Sequence, residues 1–115
     1  MKKSNPVTLA EVSIDARTVL GCERDMYRAR DELTNRAESY LRKARSQYPD
    51  CADKFTVNTN GSECGDTVTS YADVILPLDL ATEYYKEIEP IAEDVFHKWL
   101  GCTGSYYVHE PNCLK

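Results

Sequence analysis

A chain of 115 residues, 42% apolar and 29% charged, has the make-up of one folded domain with a modest core. Its formal charge of -5 argues against a surface built mainly to hold phosphates. No apolar run approaches the roughly 18–20 residues that a membrane span requires. Met1-Lys2-Lys3 resembles the front of a secretion signal, yet no apolar stretch follows it. Two compartments therefore stay open: the cytoplasm, or an oxidising periplasmic or extracellular space reached by a precursor whose signal has been removed.

The charge is divided unevenly. Residues 1–48 carry ten Lys/Arg against seven Asp/Glu, whereas residues 49–115 carry four against twelve. A basic first half packed beside an acidic second half accounts for this balance, as does an exposed face that addresses a charged partner.

In chain order, Thr8-Leu9-Ala10-Glu11 reads as a capping box, with Val7 and Val12 placed for a hydrophobic staple. Together they predict a helix from residue 8 to 48, ended by Pro49. Val12, Val19, Met26, Leu33 and Tyr40 recur every seven residues and, with Ala16, Ala37 and Ala44 alongside, form an apolar stripe for a partner helix. Gly21 is its weak point, since glycine costs about 1 kcal/mol against alanine inside a helix. Residues 49–77 lack helical period. Two β-branched and aromatic runs there, 54–58 and 67–71, are separated by turn signals at Asn60-Gly61 and Gly65-Asp66, which predicts a short hairpin or an ordered loop. A second helix follows over 78–100, with Leu80, Tyr84, Ile88, Ile91, Val95 and Trp99 on one face, a kink at Pro90 and Gly101 as its stop. Residues 101–115 read as a tail. The expected fold is thus a single, mainly α domain: a long N-terminal helix packed against a kinked C-terminal helix, with the hairpin between them.

Five cysteines with no C-x-x-C pair argue against a zinc ribbon or a thioredoxin-type site and fit either two disulfides plus one thiol, the favoured arrangement, or five reduced thiols. Folding the second helix back along the first brings Cys102 about one turn from Cys22, close to the ~4.4–6.8 Å Cα separation a bridge needs. Cys51 and Cys64 would close the insert as a local loop. Cys113 is then the odd thiol, free, able to take the place of Cys102, or able to pair with another chain such as a second copy in a homodimer.

Catalytic signals are absent. No nucleophile elbow or phosphate-binding glycine loop occurs, and the only histidines are His97 and His109. Cys113 with His109, Asp94 with His97, and a zinc set of Cys22, Cys102, His109 and Cys113 have suitable atoms but match no common module. No catalytic residue, metal or cofactor is therefore assigned.

Eight tyrosines are many for this length, and exposed tyrosine offers a large contact area at low entropic cost. Neighbours on a helix point about 100° apart, so Tyr84 enters the core while Tyr85 stays at its edge. The expected function is non-enzymatic protein binding, of an inhibitor or immunity type, through Glu83, Tyr85, Glu87, Glu89, Glu93, Tyr106 and Tyr107. A nucleic-acid or regulatory factor using Arg24, Arg28, Arg30, Arg36, Arg42, Lys43 and Arg45 is one alternative, disfavoured by the interleaved carboxylates. A metal-binding domain is the other.

Overall fold

In the computed structural model, which describes residues 7–114, the chain runs β1 (Leu9–Val19), α1 (Glu23–Gln47), a 3-10 segment (Pro49–Lys54), β2 (Thr56–Cys64), β3 (Thr67–Pro77), α2 (Leu78–Leu100), β4 (Gly104–Val108) and β5 (Asn112–Leu114). This is a mixed α/β fold, so the mainly α, two-helix expectation is overturned.

The difference lies at the start of the chain. Ala10, Val12, Ile14, Ala16 and Thr18 are buried while Glu11, Ser13, Asp15 and Arg17 point the other way, the two-residue period of a strand. No capping box forms at Thr8. Its carbonyl instead accepts a hydrogen bond from the Leu78 amide at 2.8 Å, tying the start of α2 to the start of β1. The seven-residue row fails too: Val12 is 1% exposed, but Val19, its supposed equivalent, is 52% exposed. Between strand and helix the chain turns at Leu20-Gly21, where Gly21 takes a φ of +106° that a side chain would oppose.

β3 lies antiparallel to β1 over the full length from Leu9↔Pro77 to Val19↔Thr67. β4 and then β5 pair with the other side of β1, and β2 pairs with β3, giving the order β2-β3-β1-β4 with β5 continuing the β4 side. The predicted tail is therefore sheet. Of the two turn signals in the insert, Gly65-Asp66 makes the β2–β3 turn, while Asn60-Gly61 lies inside β2.

Both helices cover one face of this sheet. α1 buries Met26, Ala29, Leu33, Ala37, Leu41 and Ala44, and α2 buries Leu80, Ala81, Tyr84, Ile88, Ala92, Val95, Phe96 and Leu100. Both sets follow the three-and-four spacing of an amphipathic helix. The helices are antiparallel: Tyr40 packs on Tyr84 with ring centroids 5.3 Å apart, and the Trp99 Nε1–H donates to Glu32 at 3.1 Å. Arg28 and Lys98 lie over the same indole. Pro90 is exposed within α2, and one helical span continues through it. Gly101, at φ +56°, ends the helix and returns the chain to the sheet.

All five cysteines are free thiols, which overturns both expected disulfides. Cys51 precedes β2 and Cys64 ends it, so a strand of nine residues, roughly 30 Å at about 3.3 Å per residue, separates them. Cys22 and Cys102 do share one end of the sheet. Gly101, however, turns the chain off the α2 axis toward β4, so Cys102 does not continue the helix–helix register on which that pairing relied.

Two measurements check this fold. Val12→Ala should cost about 1–3 kcal/mol in urea unfolding, whereas Val19→Ala should stay within about 0.5 kcal/mol; a helical stripe would make the two equal. Under non-reducing, denaturing conditions the chain should take up five alkyl groups by mass, and three or fewer would reinstate a bridge.

Candidate functional site

The seven residues predicted to meet a partner fall into two grooves. Glu83 and Glu87 line a cavity of about 410 Å³ between α1 and α2, together with Tyr40, Lys43 and Lys86. The Tyr40 hydroxyl donates to the Leu80 carbonyl at 3.3 Å and to Glu83 at 3.4 Å. Cations and carboxylates are mixed in this groove, so its charge is largely balanced.

The other five, Tyr85, Glu89, Glu93, Tyr106 and Tyr107, come together in a groove of about 430 Å³ completed by Pro90 and Val108. Two elements build it. Residues 85, 89 and 93 recur every fourth position along α2 and so share one side of the helix. β4 contributes Tyr106 and Val108 on the helix side of the sheet, opposite Ala16 and Ile14, and Tyr107 on the other side, opposite Asp15. The Tyr106 ring stacks on Phe96 at 4.9 Å, which holds one wall in place. As expected from helix geometry, Tyr84 is buried and Tyr85 lies at the edge.

This groove is acidic. Its lining includes Glu89 and Glu93 but no Lys or Arg among the described residues. Desolvation, with Glu89 and Glu110 adding their charge, raises the Tyr85 phenol above its ordinary pKa; desolvation, Glu93 and Glu89 do the same for Tyr106. Both phenols therefore stay neutral donors at physiological pH.

The sheet face away from the helices carries a pairing that the sequence did not disclose. His109 Nε2 lies 2.7 Å from Asp15 Oδ2, and the Tyr107 ring packs edge-on against the imidazole at 4.6 Å. Strand alternation puts these three on one face, a relation visible only once β1 and β4 are known to be neighbours. His109 follows the register of Ser13, and Cys113 that of Ala10, so the considered Cys113–His109 pair is divided between opposite faces. Asp94 and His97 are both exposed on α2, and among the described residues no three His, Cys, Asp or Glu side chains gather as a metal site. No helix there is long and apolar enough to cross a membrane.

Three of the seven cations in the α1 run are engaged within the fold. Arg28 covers Trp99, Arg30 meets Asp31 at 3.5 Å and lies over Tyr27, and Arg45 donates to Glu38 at 2.8 Å and to the Phe55 carbonyl.

Burial first, then Glu83 and Glu87, push the Tyr40 phenol up to about 12, and burial pushes Tyr84 up further still. A phenol that keeps its proton in the fold after the unfolded chain has lost it near pH 10 contributes stability that is intact below that pH. That contribution drains away as the pH rises toward 12. Tyr40→Phe should therefore remove one late-ionising phenol from an ultraviolet titration and flatten the fall in stability over that window.

No family model matches the chain, and no curated protein matches it. Among solved structures it is similar to the de novo designed protein Ferredog-Diesel, with a TM-score of 0.50 and 12% identity over 95% of this chain and 93% of that one. At such identity the likeness concerns the fold alone, a β-α-β-β-α-β chain with two helices on one face of an antiparallel sheet, the ferredoxin-like arrangement.

Proposed function

We propose that this chain is a non-enzymatic protein-binding domain whose contact surface is the groove between α2 and β4. One observation carries the reading: residues far apart in sequence, Tyr85, Glu89 and Glu93 on a helix and Tyr106 and Tyr107 on a strand, line a single acidic, aromatic concavity. Tyrosine supplies area and a hydroxyl donor, and carboxylates select a partner of opposite charge. A small domain that covers a basic patch on another protein acts as an inhibitor when that patch is the partner's own working surface.

The matching experiment immobilises the chain, passes an extract of its native cells over it, and compares wild type with the double variant Glu89→Lys/Glu93→Lys. A retained protein that binds the double variant about tenfold more weakly, and that elutes with added salt, supports the reading. Equal retention by both forms would place the contact elsewhere. If wild type retains no protein, the chain is not a protein-binding domain.

A further inference from the structure

The groove lies beside an unpaired strand edge. In the order β2-β3-β1-β4, one side of β4 pairs with β1 and the other has no neighbouring strand among the described residues. The direction of its main-chain groups follows from one bond: the His109 amide donates to the Ser13 carbonyl at 2.8 Å, so the pair 13↔109 exchanges bonds across the β1–β4 ladder. Antiparallel pairs alternate between bonded and non-bonded, so Tyr107 and Ser105 also turn their N–H and C=O toward β1. Gly104, Tyr106 and Val108 then turn theirs outward, Gly104 and Tyr106 from half-buried positions and Val108 from a buried one. Since half-buried Tyr106 also lines the acidic groove, its outward donor and acceptor and the carboxylates stand side by side.

Resting on the proposed protein-binding role, we infer that β4 accepts an extended segment of the partner as an added strand, with Lys or Arg at alternate positions directed between Glu89 and Glu93. A strand paired with β4 places every second side chain on the helix side of the sheet, as Tyr106 and Val108 are placed, and the groove lies there. Its other side chains fall on the open face beside Tyr107. Main-chain bonds provide the grip, and the carboxylates choose the sequence. The opposite edge, β2, is longer but lacks such charge: its side chains are Thr, Val, Asn, Gly, Ser and Cys with a single carboxylate at Glu63.

The test uses the full-length chain and a fluorescent peptide of about ten residues alternating Lys and Thr. An alternating Glu–Thr peptide and one with all its lysines before its threonines are the controls. The alternating Lys–Thr peptide should bind more tightly than either control, weaken with salt, and slow hydrogen exchange at the outward amides of Gly104, Tyr106 and Val108. Joining a synthetic 102–115 segment at Cys102 permits a chain with an N-methyl group on the Tyr106 amide, all side chains unchanged. That chain should keep the wild-type circular dichroism yet bind the peptide about tenfold more weakly, a loss of main-chain bonding and close approach. Undiminished binding by the methylated chain, equal binding of the clustered-lysine control, protection at β2 instead of β4, or no binding of the alternating peptide would each overturn strand addition at β4. The broader reading fails separately, when Glu89→Lys/Glu93→Lys leaves the native partner's retention unchanged.

Discussion

Strand β1 lies between β3 and β4, and the position of every other element depends on which of its side chains face the helices. Ala10, Val12, Ile14 and Ala16 form the floor on which α1 and α2 pack, while Asp15 and Arg17 face away. A slip of one residue against β3 would exchange these two sets and bury an aspartate and an arginine, so the eleven-residue register is held by the cost of desolvating charge as well as by its hydrogen bonds. Thr8 extends this control to α2, because its carbonyl holds the amide of the first residue of that helix.

Among the described residues, covering one sheet face leaves the other open and leaves two edges unpaired. The open face is predominantly polar, as one-sided antiparallel sheets are, with Tyr71, Tyr107 and the Asp15–His109 pair as its distinctive side chains. The edges differ. β2 is long and nearly uncharged, whereas β4 is short, followed by Pro111, and flanked by the carboxylates of α2. A short edge closed by proline discourages indiscriminate pairing, and acidic neighbours make such pairing depend on the charge of the incoming strand. On the proposed reading, protection against aggregation and selection of a partner would use the same residues.

The free thiols suit a domain whose core is sufficient without cross-links. Fully buried Met26, Leu33, Leu41, Leu76 and Ile88 extend through both helices and the sheet, and aromatic pairs close the margins: Tyr40 on Tyr84, Phe96 on Tyr106, Tyr48 on Phe55. Cys22, Cys64 and Cys102 all lie in turns or at strand ends at one pole of the sheet.

The second helix was legible from its residues, because a three-and-four spacing over twenty residues and a stop at Gly101 have a single local solution. From that helix alone followed the burial of Tyr84 and the edge position of Tyr85, and with them half of the candidate groove. The first strand passes for a helix although Ala10–Arg17 alternates strictly, since Thr8 and Glu11 imitate a helix start and Val12, Val19 and Met26 fall by coincidence into a heptad row. Local pattern cannot rank these options. The difference is made by β3 and β4, which satisfy the main-chain groups of β1 on both sides. The same long-range pairing decided the rest of the site: Tyr106 and Tyr107 reach Glu89 and Glu93, and His109 reaches Asp15, only because β4 returns along β1. What the sequence determined by itself is the helical, acidic face of α2, a property of neighbours three and four apart. What only the tertiary structure decided is which strand stands beside that face, because a hydrogen-bonded register joins residues more than ninety positions apart.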